Sequence, residues 1–129
     1  MERQAVSTES APAAIGPYSQ GIRVGGLLFV SGQIPIDPKV GKIVANTVEE
    51  QAHQVLRNLG AILESQGLGF GSLVKTTIFL KSLGDFQAVN RIYAQYVREP
   101  FPARATIEVA GLPLDAKVEI EAIACYPKS

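Results

Sequence analysis

The stretch from Thr47 to Gly67 constrains this chain more than any other. Thr47-Val48-Glu49-Glu50 places a hydroxyl three residues before a carboxylate, the pattern of a helix capping box. Behind it, Val48, Ala52, Val55, Leu56, Leu59, Ile62 and Leu63 recur at helical spacing, and Gly67 supplies a C-terminal stop. The spacing predicts a helix over residues 48–66. A helix with one apolar stripe must bury that stripe against another layer, so the rest of the chain has to provide one.

The flanking segments read as strands and turns. Gly26-Leu27-Leu28-Phe29-Val30-Ser31-Gly32 is a short apolar run between glycines, the signature of a buried strand. Residues 8–20, with Pro12 and Pro17, are turn-rich, and residues 35–46, with Pro35, Asp37-Pro38 and Gly41, form a turn or hairpin-like loop. Leu73 to Lys81 alternates, with Val74, Ile78 and Leu80 on one face and Lys75, Thr77 and Phe79 on the other. A second amphipathic helix is expected over residues 84–97, with Phe86, Val89, Tyr93 and Tyr96 on its stripe and Pro100 and Pro102 ending it. Strands at Ala103–Val109 and Lys117–Tyr126 close the chain around the turn Gly111-Leu112-Pro113.

This order predicts an α+β architecture in which both helices cover one face of a sheet. Ala105, Ile107 and Val109, with Val118, Ile120, Ala122 and Ala124, can supply that face. Period two then sends Arg104, Thr106 and Glu108 to the opposite face, together with Glu119 and Glu121. That second face stays bare unless another chain covers it, and its charged groups beside Phe79 and Ile123 suggest an interface with wet clefts. A length of 129 residues suits one domain, 1–129, with enough chain for a real core.

Composition removes several function classes. Twelve Lys plus Arg balance twelve Asp plus Glu, so a nucleic-acid partner, which wants a basic footprint, is disfavoured. One cysteine and one histidine cannot form a disulfide, a cysteine cluster or a two-histidine metal site. No apolar run approaches the ~18 residues a membrane helix requires, and nothing after Met1 resembles a signal peptide, so a cytoplasmic protein is expected.

The remaining candidates each carry two readings. Gly67-Leu68-Gly69-Phe70-Gly71-Ser72 looks like a phosphate loop, but it follows a helix and precedes a strand, the reverse of the dinucleotide arrangement, so a helix stop and turn is expected. His53, four residues before Arg57, reads as an exposed structural histidine, and Cys125 as a small core or interface residue. Arg104 is either a surface arginine or a bidentate clamp for a small carboxylate or phosphate. Glu119 is either a solvated strand carboxylate or, facing a cleft, a group that binds and polarises a water. Tyr18 and Ser31-Gly32 lie at turn or strand ends, where hydroxyls and a bare backbone amide can reach a ligand, and Asn90 sits mid-helix.

Four stretches, in this order, resemble the Rid family of reactive intermediate deaminases, also called YjgF or L-PSP proteins. They are Ser7-Thr8-Glu9 with Ala11 to Gln20, Phe29-Val30-Ser31-Gly32-Gln33, Phe101-Pro102-Ala103-Arg104-Ala105-Thr106, and Val118-Glu119-Ile120-Glu121-Ala122. The resemblance implies a chorismate-mutase-like α+β fold, a homotrimer with its sheets facing inward as a barrel, and ligand clefts between subunits. It implies hydrolysis of 2-imino acids, in equilibrium with 2-enamino acids such as 2-aminoacrylate, to 2-keto acids and ammonia, with no cofactor. By the same resemblance Arg104 clamps the carboxylate and Glu119 holds the attacking water. Backbone at Gly32, Ala105 and Thr106 positions water or substrate, and Tyr18, Ser31 and Asn90 line the cleft. Thr106 stands where the family often has cysteine, which excludes a mechanism through that thiol. The alternatives are an endoribonuclease or translation inhibitor, and a non-catalytic metabolite-binding trimer.

Overall fold

The computed structural model describes residues 1–128. Eight strands and two α-helices follow one another: β1 (Arg3–Val6), β2 (Gly21–Val24), β3 (Leu27–Gln33), β4 (Ile36–Asp37), β5 (Lys42–Ile43), α1 (Val48–Ser65), β6 (Leu73–Leu80), α2 (Phe86–Ala94), β7 (Ala103–Glu108) and β8 (Val118–Cys125). Six strands form one mixed sheet in the order β1-β2-β3-β8-β6-β7, and β4 and β5 make a separate hairpin. Every neighbouring pair in the large sheet is antiparallel except β6–β7, which is parallel and joined through α2. The expected α+β class, with both helices against one face of a mixed sheet, is what the chain adopts.

The first helix forms as its cap predicts. The Thr47 hydroxyl accepts the Glu50 amide at 3.1 Å and donates to the Glu50 carboxylate at 2.9 Å, satisfying one of the orphan donors at the helix start. At the other end Gly67 takes φ +70°, a conformation that other residues adopt only with strain. The glycine-rich stretch after α1 is therefore a helix stop followed by a short 3₁₀ turn, Phe70–Ser72. The α1 stripe of Val55, Leu56, Leu59, Ile62 and Leu63 is fully buried against Leu28, Ile78, Leu80, Val118 and Ile120 of the sheet.

Several expectations fail locally, each for an identifiable reason. The register between β6 and β8 shifts between Leu73 and Lys75. This bulge turns Leu73 inward, at 7% exposure, and sends Val74 out, at 44%. The second helix is shorter than residues 84–97: Leu83–Asp85 is a 3₁₀ turn, and after Ala94 the chain winds on in turns that still bury Val97. The N-terminal strands β1 and β2 were not anticipated, because four residues carry too little periodicity to register. His53 is half-buried rather than exposed, with Nδ1 2.8 Å from the Tyr96 hydroxyl. Cys125 is exposed at the end of β8 and forms no part of the core.

The largest correction concerns β7. Parallel pairing sets Thr76 beside Arg104, Ile78 beside Thr106 and Leu80 beside Glu108. Paired residues share a face, and Thr76, Ile78 and Leu80 point into the helix-covered core. Arg104, Thr106 and Glu108 therefore lie on the helix side, and Ala105 and Ile107 lie on the open side, the reverse of the expectation. In β8 the expected alternation is correct: Val118, Ile120, Ala122 and Ala124 are buried, while Glu119 and Glu121 face away with Phe79 and Thr77. Ile107 at 44% and Phe29 at 42% exposure make this open face partly apolar.

Candidate active site

Glu119 is set into the sheet by the strand beside it. The β3–β8 register shifts between Val30, paired with Ala122, and Gln33, paired with Ile120, leaving Ser31 and Gly32 together opposite Glu121. The Glu119 side chain fills the space this leaves. A Cβ added to Gly32 would fall 1.9 Å from Glu119 Oε2 and 2.9 Å from its Cδ. Gly32 is thus a close-approach position for a carboxylate, and no side chain fits there. Burial raises the Glu119 carboxyl above its ordinary value, and the Glu121 charge adds to the rise. Among the described residues the only ion pair is Lys81–Asp115, so no cation offsets Glu119.

Tyr18 from the N-terminal loop and Ser31 from β3 reach the same place. Gln20, buried at 4% exposure, accepts the Thr8 amide at 2.7 Å and donates to the carbonyls of Thr8 and Pro12 at 3.0 and 2.7 Å. Ser31 then ties this loop to β3, its amide donating to Gln20 O at 2.9 Å and its hydroxyl to Ser19 O. Tyr18, Ser31, Gly32, Glu119 and Glu121 consequently line one open cleft of about 500 Å³. Tyr18, Ser31 and Glu121 also border a neighbouring cavity of about 520 Å³ over Phe29 and Ile123.

Arg104 belongs to a different place. Its Nη1 donates to Asn90 Oδ1 at 2.7 Å, and its guanidinium carbon lies 5.1 Å from the Tyr93 ring centre and 5.6 Å from that of Phe86. These contacts orient a planar cation over aromatic faces while leaving it without a carboxylate partner. Burial raises the Tyr93 hydroxyl, which is 2.6 Å from Thr76 Oγ1, and Arg104 acts the other way. The surrounding cavity, about 430 Å³, is lined by Asn90, Tyr93, Phe101 and Arg104 among others.

β7 is also the outer strand of the sheet. Val109 N–H donates to Leu80 O at 2.9 Å, and alternation along β7 then turns the amides of Arg104 and Thr106 toward the open edge. The Thr106 hydroxyl is buried without a hydrogen-bond partner, in a small void under Asn90 and Phe86. What Thr106 presents outward is backbone.

The candidate residues thus fall into two groups. Tyr18, Ser31, Gly32 and Glu119 meet on the open sheet face, and Asn90, Arg104, Ala105 and Thr106 gather at the β7 edge. Within one chain the two groups do not meet: β6 separates the strands, and the Glu119 and Arg104 side chains leave opposite faces.

This arrangement sits on a chain whose residues 8–126 match the family model described as Endoribonuclease L-PSP. The chain belongs to the Rid family. The chloroplastic Reactive Intermediate Deaminase A of Arabidopsis thaliana is 53% identical over 124 residues, covering 96% of this chain and 66% of that longer protein. The 2-iminobutanoate/2-iminopropanoate deaminase of Salmonella typhimurium is 54% identical, covering 92% of this chain and 94% of its own. Among solved structures, the Rid family protein YyfA of Yersinia pestis superposes with a TM-score of 0.94 at 48% identity, covering 97% of this chain and all of that one.

Two neighbours of these candidate residues were not singled out from sequence. Glu121 borders both clefts on the open face, and its signal was the two-residue spacing from Glu119. Phe101, 63% exposed, walls the Arg104 cavity; its signal was a large aromatic ring just ahead of a strand, between two prolines.

Proposed function

We infer that this protein hydrolyses reactive 2-enamino and 2-imino acids, 2-aminoacrylate and 2-iminobutanoate, to 2-keto acids and ammonia. The observation that carries this reading is the Glu119 carboxylate, held in the notch at Gly32, partly desolvated and without a cation from its own chain. Relatives about half identical to this chain over most of its length are deaminases of this class by name.

The chemistry asks little of the protein. The carbon of a protonated imine is already electrophilic, so what is needed is a fixed substrate, one placed water and a proton relay. Arg104 holds the substrate carboxylate through two parallel hydrogen bonds, helped by the outward amides of β7. Glu119 takes a proton from water as its oxygen adds to C2. The same carboxyl returns that proton to the nitrogen of the tetrahedral adduct; as the C–N bond breaks and ammonia leaves, the carboxylate takes the C2 hydroxyl proton so that the carbonyl forms, and it passes that proton to the departing ammonia as ammonium. A raised carboxyl value suits a group that both accepts and returns a proton. An enamine enters the same route once its C3 is protonated.

The two groups of residues work together if copies of the chain associate. We propose a homotrimer in which the open sheet faces turn inward as a barrel, and the Arg104 edge of one copy meets the Glu119 cleft of the next. The exposed apolar residues Phe29 and Ile107 on that face support this. Residues 1–129 then act as one Rid domain, and the cytoplasm is the proposed compartment. No helix among the described residues is long and apolar enough to cross a membrane.

The test is 2-aminoacrylate consumption by chelator-treated protein, with a single-stranded RNA incubated in parallel. Imine loss with pyruvate and ammonia formed, and RNA intact, is expected. RNA cleavage without imine turnover favours the endoribonuclease reading, and neither activity favours a binding trimer.

A further inference from the structure

The cleft that holds Glu119 has a second wall whose construction the hydrolysis does not explain. Besides its polar groups, the cleft is lined by Pro12, Ile34, Ile36 and Pro113. Two buried amides hold the two lips of this wall. Asn58 of α1, 1% exposed, donates both amide hydrogens, to Ile34 O at 3.1 Å and to Ile36 O at 2.9 Å. Its own Oδ1 accepts Gln54 Nε2 at 2.8 Å, so the group is fully satisfied. At the Pro12 lip, buried Gln20 fixes the Pro12 carbonyl at 2.7 Å. Buried polar groups are retained when fully bonded, and they then specify one geometry.

Backbone held this firmly by interior side chains presents apolar groups toward open space rather than into the core: Pro12, Ile34 and Ile36 are all only partly buried. The cleft volume of about 500 Å³ falls within the ~300–1,000 Å³ of small-molecule sites.

We propose that the wall formed by Pro12, Ile34 and Ile36 is the side-chain subsite of this cleft, and that it selects 2-imino acids carrying branched or longer aliphatic side chains. This rests on the deaminase reading for the chemistry but on the cleft alone for the preference. With the carboxylate at Arg104 and C2 beside Glu119, the substituent on C2 is the part left to contact an apolar wall. An aliphatic group there displaces water from apolar surface, and each methylene discriminates by about 10-fold or more in such a pocket.

Stable 2-keto acids report the preference without turnover. Affinities for 2-oxobutanoate and 4-methyl-2-oxopentanoate would be measured calorimetrically on the parent oligomer, on Ile34→Thr and on Pro12→Ser, with 2-iminobutanoate hydrolysis assayed on the same samples. The parent is expected to bind the branched acid, which has two more carbons, about 100-fold more tightly than the short one. Ile34→Thr should erase most of that ratio and leave the short acid within about twofold of the parent. Pro12→Ser should reduce the ratio from the other lip, and it decides the matter if Ile34→Thr does not fold. Equal affinities in the parent, or a folded variant that keeps the full preference, overturn the subsite. Preference intact without any imine hydrolysis rejects the deaminase reading and keeps the subsite. Hydrolysis intact without preference does the reverse.

Discussion

The Glu119 half of the site is built into the sheet, whereas the Arg104 half stands at its margin. Glu119 lies on an inner strand, in a notch made by a bulge and a missing side chain, and is partly desolvated. Arg104 lies on the outermost strand, exposed, steered by one hydrogen bond and two aromatic rings. A proton-transfer group gains from an environment that shifts its titration and fixes its oxygens, which only a strand interior provides. A carboxylate clamp gains from an unpaired fork and free backbone amides, which an edge strand offers.

Removing the proton carrier should do the most damage. Glu119→Gln keeps size and hydrogen bonding, so 2-keto acid binding should survive while 2-iminobutanoate turnover falls by about 10²–10⁴-fold. Steady-state kinetics beside calorimetry would separate the two; unchanged turnover breaks the contrast.

Gly32→Ala tests the notch itself. Its Cβ cannot coexist with the present Glu119 position, so the carboxylate must move, and displacements near 1 Å cost about 100-fold in rate. Turnover should fall that far with the oligomer intact. A fully active alanine variant would show that the close fit is incidental.

Arg104→Lys should act mainly on the other half. Lysine keeps the charge but loses the fork, and losing a charge-assisted contact of about 1.5–3 kcal/mol predicts roughly a 10- to 100-fold drop in kcat/KM. Weakened keto acid binding should accompany it, unlike Glu119→Gln.

The smallest effect is on stability. Burial, with the Glu121 charge, raises the Glu119 carboxyl above its ordinary value in the folded chain, so folding favours its protonated form. Its contribution to stability is present below the ordinary carboxylate range and is lost as pH rises through the raised folded value. At neutral pH the ionised carboxylate therefore costs stability. Glu119→Gln should raise Tm by roughly 1–3 °C at pH 7, and the gain should vanish in acid. A variant less stable than the parent at pH 7 contradicts the assigned environment.

The two halves also differed in how legible they were. β8 alternates cleanly because its neighbours β3 and β6 flank it and one face is packed by α1, so hydrophobicity reports burial. β7 alternates just as cleanly and misleads. Its apolar residues Ala105 and Ile107 face the open side, and Arg104 and Thr106 face the helices, because parallel pairing with β6 sets its phase. Nothing in the β7 residues announces that pairing, and apolar groups awaiting a second copy read like core. The bulge at Val74 escaped for a related reason: one extra residue inverts every later side chain, and only the buried Leu73 reveals it. The notch at Gly32 was half legible. Sequence marked Ser31-Gly32 as a place where backbone meets a ligand, but the contact between Gly32 and Glu119 joins residues far apart in the chain.

The central claim is that one copy supplies Arg104 and another supplies Glu119. Arg104→Lys and Glu119→Gln chains, each nearly inactive alone, would be unfolded, mixed in equal amounts and reassembled. In a random mixed homotrimer about a quarter of the sites regain both native groups, so imine hydrolysis should return to about a quarter of the parent rate. A mixture no more active than the average of its two parts would mean that the groups act within one chain or not together at all.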